Sequence, residues 1–135
     1  MGRSSQRKGR GGELELRDRL KEYGYDVRCG APQSFGDVPD LVGLPGIHIE
    51  VKRCEQIRLT EWMQQATRDA ERFGDGAPAV FHRRNRQPWM VTLLLTDFMR
   101  MYQTAAECGA VTSGGAGEYE THLRAETQPR GCRGH

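Results

Sequence analysis

Residues 39–52 read PDLVGLPGIHIEVK. Two apolar runs, Leu41-Val42 and Ile47 to Val51, flank a Gly-Leu-Pro-Gly turn, and the pattern predicts a β-hairpin over Val38–Val42 and Ile47–Lys52. Asp40, Glu50 and Lys52 interrupt those runs. Asp and Glu are poor strand formers, and burying them without partners is costly. Side chains alternate between faces along a strand, so Glu50 and Lys52 share one face and Val51 takes the other. Across a turn centred near Leu44-Pro45, position 40 falls nearly opposite position 50, with Cβ atoms ~4.5–5.5 Å apart. Two carboxylates and one ammonium therefore converge on one patch. Like charges opposed across a hairpin destabilise it unless a cation lies between them. A hard divalent ion with oxygen ligands meets that need.

A third carboxylate follows from helical phase. Gly12 to Tyr23 reads as a helix with Leu16, Leu20 and Tyr23 on one face and Gly24 as its stop. At about 100° per residue, Glu13 falls with Leu16 and Leu20, whereas Glu15 faces away and is expected in solvent. An acid among core-facing apolar residues needs a partner. Each acid alone has a plainer explanation. Glu50 and Lys52 could be a surface pair worth ~0–1 kcal/mol, Asp40 could belong to a turn after Pro39, and Glu13 could answer a helix dipole. A shared metal site accounts for Glu13, Asp40 and Glu50 together.

The remaining pattern places this hairpin in an α/β domain. Residues 1–11 (MGRSSQRKGRG) are polar, basic and glycine-rich, as in a flexible arm. Tyr25–Cys29 is a short strand, followed by the loop GAPQSFGD. Thr60 reads as the N-cap of a second helix reaching Phe73 and closed by Gly74, with Leu59, Trp62, Met63, Ala66, Ala70 and Phe73 at helical spacing. Ala77–His82 and Trp89–Leu94 are strands around the turn RRNRQP, and Thr96 caps a last helix through Tyr102. The order is α-β-β-β-α-β-β-α, a mixed sheet flanked by helices, with a parallel crossover through the second helix. Residues 12–104 form the domain; residues 105–135 lose periodicity and read as a disordered tail.

Composition bounds the function. The 135 residues carry a net charge of only +2, and 36% are apolar. The charge is clustered: Arg3, Arg7, Lys8 and Arg10 at the start, Lys52, Arg53 and Arg58 in the middle, and Arg83, Arg84 and Arg86 in the late turn. Clusters on a near-neutral chain point to a local polyanion site. Cys29, Cys54, Cys108 and Cys132 form no CxxC pair, which argues against a zinc site or disulfide scaffold and fits a reducing cytoplasm. There is no secretory h-region and no apolar run of ~18 residues, so a cytoplasmic protein without a membrane span is expected.

Pro39-Asp40 followed by Glu50-Val51-Lys52 resembles the PD-(D/E)XK signature of restriction-endonuclease-like nucleases. KGRGGELEL (Lys8 to Leu16) resembles the start of the first helix in archaeal-type Holliday-junction resolvases and related phage and prophage endonucleases. HRRNRQPWMVTL (His82 to Leu93) resembles the late hairpin of the phage-type members. The resemblance covers roughly residues 7–103. It implies Asp40, Glu50 and Glu13 as ligands of Mg²⁺ or Mn²⁺, and Lys52 and Glu13 as catalytic residues. It also leaves Asp37 as a substitute or supplementary ligand, Ser34 as a phosphate contact and Gln65, at the edge of the second helix's apolar face, as a further site residue. Arg7, Lys8, Arg10, Arg53, Arg83, Arg84 and Arg86 are the DNA-contacting candidates.

The activity so implied is metal-dependent hydrolysis of DNA phosphodiester bonds. No base-reading module is visible, which favours recognition of DNA structure such as a four-way junction. The related resolvases are dimers, and a homodimer is expected here. Alternatives are a phage nicking or site-specific endonuclease of the same fold, a branched-DNA-binding module that does not cut, and a small interaction protein whose charges are surface polarity.

Overall fold

The computed structural model describes residues 2–30 and 38–111, with side chains from residue 11 onward. Among these residues the elements are α1 (Gly2–Glu22), β1 (Arg28–Cys29), β2 (Leu41–Val42), β3 (Ile47–Arg53), α2 (Leu59–Phe73), β4 (Ala77–Arg83), β5 (Met90–Leu93) and α3 (Leu95–Glu107). The expected α-β-β-β-α-β-β-α order is the observed one. The strands form one mixed sheet in the order β1-β2-β3-β4-β5. Only the β3–β4 pair is parallel, and α2 makes the crossover between them.

The strict alternation of β3 decides the layering. Ile49 and Val51 join Leu16 of α1, Val27, Leu41, Ala79 and Phe81 in the main core. Val80, in register with Glu50, packs instead with Trp62 and Ala66 of α2. The sheet is thus covered by α1 on one face and α2 on the other. Two glycines permit the close approaches. A Cβ on Gly12 would stand 2.5 Å from the Cβ of Arg53, so α1 can lie against β3 only with glycine there. Gly76 (φ +135°) passes directly over the backbone of Gly46, where Ala77 N–H donates to the Gly46 carbonyl at 2.8 Å and starts the parallel pairing.

Boundaries differ from expectation in informative ways. Helix α1 begins at Gly2 rather than Gly12, so residues 2–11 are helical backbone. Gln, Arg and Lys are good helix formers by type, which favours continuing the helix through its glycines. Tyr23 does not join the core face; it is 71% exposed, beyond the helix end. Neither threonine caps its helix. Arg58 and Leu94 occupy the N-cap positions, without side-chain cap hydrogen bonds. Gly74 does close α2 in the left-handed conformation (φ 59°), donating to Ala70 O at 2.8 Å. Helix α3 runs on to Glu107, past the expected end at Tyr102, and buries none of its residues. Most of the expected tail, residues 112–135, lies outside the described residues.

Candidate active site

Strand β3 presents His48, Glu50 and Lys52 on the face that α2 covers. Glu50 is 5% exposed. Its Oε1 lies 3.6 Å from Lys52 Nζ, and Lys52 in turn donates to Gln65 Oε1 of α2 at 3.1 Å. A lysine held by one carboxylate and one amide keeps its ammonium in a fixed place. The β2–β3 register pairs Leu41 with Ile49, which sets Asp40 opposite Glu50 one step further along. Asp40 Oδ2 accepts the backbone N–H of Val51 at 2.9 Å.

The electrostatics follow from this geometry. Burial, then the neighbouring Glu50 charge and more weakly that of Glu13, push the Asp40 carboxyl up to about 7. The Val51 N–H and Lys52 act against them without prevailing. Asp40, Glu50 and Glu13 thus share one field. Protein groups alone undercompensate Asp40, and a hard cation bound by carboxylate oxygens would supply the missing charge. The opposed Asp40 and Glu50 carboxylates therefore fit a divalent cation with oxygen ligands.

Three of the sequence candidates, Asp40, Glu50 and Lys52, meet here, Gln65 joins them, and Glu13 is close enough for its charge to be felt. Ser34 and Asp37 lie outside the described residues, as do the side chains of Arg7, Lys8 and Arg10. Two arginines are engaged internally. Arg83 pairs with Glu15 and donates to Gln87 O at 2.7 Å. Arg53 donates to Asn85 Oδ1 at 2.8 Å and lies 3.9 Å from Glu15. Arg84 is held more loosely, 4.0 Å from Glu55, and Arg86 stands at a left-handed turn position (φ 60°). Glu15 corrects the expectation of a solvated acid. Besides Arg83 and Arg53, it accepts a hydrogen bond from Trp89 Nε1 at 3.0 Å, tying α1 to the β4–β5 turn.

His48 was not singled out from the sequence. It is fully buried, with Nδ1 2.9 Å from both carboxylate oxygens of Asp75 and Nε2 3.7 Å from Glu50 Oε2. Burial works to lower its pKa, but the Glu50 and Asp75 carboxylates outweigh that and leave it raised. Its position two residues before Glu50, on the same strand face, was the available signal.

The model of the family described as "Phage putative PDDEXK endonuclease" matches residues 4–122. The chain belongs to this family. Its match spans the whole site, from Glu13 to Lys52 and Gln65, and the mixed sheet flanked by helices is the architecture of a restriction-endonuclease-like nuclease. No curated protein matches the chain. Nucleases of the PDDEXK type usually use divalent metals, and among the chain's described residues no helix is long and apolar enough to cross a membrane.

Proposed function

We propose that the chain is a metal-dependent DNA endonuclease that recognises branched DNA, with a four-way junction as the preferred substrate. One observation carries the catalytic part: Asp40 and Glu50 oppose each other across β2 and β3, with Asp40 raised by burial and by Glu50, and Lys52 fixed beside Glu50. Asp40 and Glu50 would hold Mg²⁺ or Mn²⁺, with the Val51 carbonyl and Glu13 as further oxygen donors. When bound, the ion supplies Lewis-acid polarisation of the phosphate and of the attacking water. Lys52, oriented by Gln65, stabilises the negative charge that develops on the phosphoryl oxygens.

Arg84 and Arg86 in the β4–β5 turn, with Arg7, Lys8 and Arg10 early in α1, contact DNA phosphates. Such contacts set position and salt dependence rather than base sequence. The absence of a base-reading motif in the sequence supports recognition by shape. A junction with approximate two-fold symmetry suits a two-fold enzyme, and helix α3 supports a homodimer: Leu95, Phe98, Met99, Met101 and Tyr102 are all exposed on it.

The test is cleavage of a labelled four-way junction beside linear duplex, in Mg²⁺, in Mn²⁺ and in EDTA, with wild type and Glu50→Gln. Paired metal-dependent cuts near the branch point, lost in the variant, are expected. Equal cutting of both substrates would retain the nuclease and remove the junction preference. A folded protein that cuts neither would overturn the catalytic reading.

A further inference from the structure

The face of β3 that carries Glu50 also carries His48, and α2 lays Asp69 beside both. One donor atom from each of His48, Glu50 and Asp69 lies within 4.8 Å of the other two. His48 is 0% exposed, yet its Nε2 has no hydrogen-bond partner among the described residues. A buried nitrogen in that state requires an explanation.

The other ring nitrogen supplies one. A carboxylate only accepts hydrogen bonds, so Nδ1, 2.9 Å from both oxygens of Asp75, must carry a proton and donate it. In the neutral ring this leaves the Nε2 lone pair facing Glu50 Oε2. Their 3.7 Å separation is too long for a hydrogen bond. It is close to the spacing of two ligands on one ion: bonds of ~2.0–2.2 Å at a tetrahedral angle put ligand atoms roughly 3.3–3.6 Å apart. A metal-bound histidine ordinarily donates its second ring N–H to a carboxylate, as His48 does to Asp75.

We infer that His48 Nε2, Glu50 and Asp69 form a second cation site, supported by Asp75, that takes a borderline transition metal such as Zn²⁺. The nitrogen donor distinguishes it from the all-oxygen set at Asp40, where Mg²⁺ is better suited. Glu50 is common to both, with Oε1 toward Lys52 and Oε2 toward His48. A competing occupant of the gap is a proton, making His48 an imidazolium between Glu50 and Asp75.

The test uses the full chain without DNA, so it stands or falls separately from cleavage. Co²⁺ serves as a spectroscopic probe, followed by its visible d–d bands and by proton NMR, and is then competed with Zn²⁺. An imidazole N–H resonance shifted far outside the diamagnetic range, slow to exchange because Asp75 holds it, is expected and should disappear on Zn²⁺ addition. Asp40→Asn should keep that resonance. Asp75→Asn should weaken Co²⁺ binding ~10–100-fold, and Asp69→Asn should weaken it by at least ~10-fold. Because His48→Gln risks misfolding at a fully buried position, the half-buried Asp69 carries the decisive comparison, with circular dichroism confirming the fold. No shifted imidazole resonance at saturating Co²⁺, affinity unchanged in folded Asp69→Asn, or loss of the resonance in Asp40→Asn would each overturn the proposal. A His48 ring that titrates as an imidazolium and ignores the metal would assign the gap to the proton.

Discussion

Replacing Asp40 by Asn should make the metal-free protein more stable, and only above a definite pH. Asp40 is raised from 3.8 to about 7 by burial and by Glu50. Because the folded-state pKa lies above the unfolded one, the folded form holds the proton more tightly. Below pH ~4 the carboxyl is protonated in both states and costs nothing extra. The cost grows as pH rises through the interval and is complete above about 7. At ~1.4 kcal/mol per pH unit this interval corresponds to an upper limit of ~4 kcal/mol. Asn removes the charge and keeps an oxygen for the Val51 N–H, so part of that limit should be recovered: ~1–3 kcal/mol at pH 8. In urea this is a midpoint increase of roughly 1 M for a protein this small. Excess Mg²⁺ should cancel most or all of that advantage, since the wild type gains more by binding, by ~2.7 kcal/mol when the ion is at 100 times its Kd. Urea unfolding at pH 4.5 and pH 8, with EDTA or Mg²⁺, measures all of this. An Asn variant less stable than wild type at pH 8 without metal, or a difference identical at both pH values, would refute the account of the site.

Gly12→Ala should destabilise the protein by ~1–2 kcal/mol despite a helix-propensity gain of ~1 kcal/mol, because the new methyl meets Arg53 Cβ at 2.5 Å; a urea melt unchanged from wild type would mean that α1 does not bear on β3 as described. Arg84→Gln with Arg86→Gln should weaken junction binding evenly across sequences and lower the salt slope by about 2, read from binding isotherms at several salt concentrations. Leu95→Ser with Phe98→Ser should convert a dimer to a folded monomer in light scattering, since both side chains are exposed among the described residues.

The parts of the site governed by short-range geometry were legible. Counting residues to the turn set Asp40 opposite Glu50, and alternation put Lys52 beside Glu50; the observed Leu41–Ile49 register has the same arithmetic. The phase of α2 put Gln65 at the edge of its apolar face, where it reaches Lys52. Glu15 was misread because helical phase describes α1 alone. Its partners Arg83 and Trp89 arrive from 68 and 74 residues away, a placement that only tertiary packing supplies. The caps failed for a related reason. Thr60 and Thr96 are good N-cap residues by type, but the helices begin two residues earlier, with Arg58 after the β3–α2 connection and Leu94 directly after β5 in the N-cap positions. Local propensity yields to such tertiary constraints.

The two faces of β3 show why so much polarity can sit inside a small domain. On one face, Ile49 and Val51 pack with Leu16 of α1 in the main core. On the other face, His48, Glu50 and Lys52 occupy three successive positions that apolar residues would fill more stably. Helix α2 answers with small residues where it touches the sheet, Ala66 and Ala70, and with Gln65 and Asp69 one residue before each. The alanines bring its backbone close, and the polar pair then meets the polar strand positions. The raised Asp40 carboxyl shows that this compensation is incomplete. A chain under selection for stability alone would gain by replacing these residues, so the uncompensated charge is best understood as held ready for a cation and a phosphate to complete.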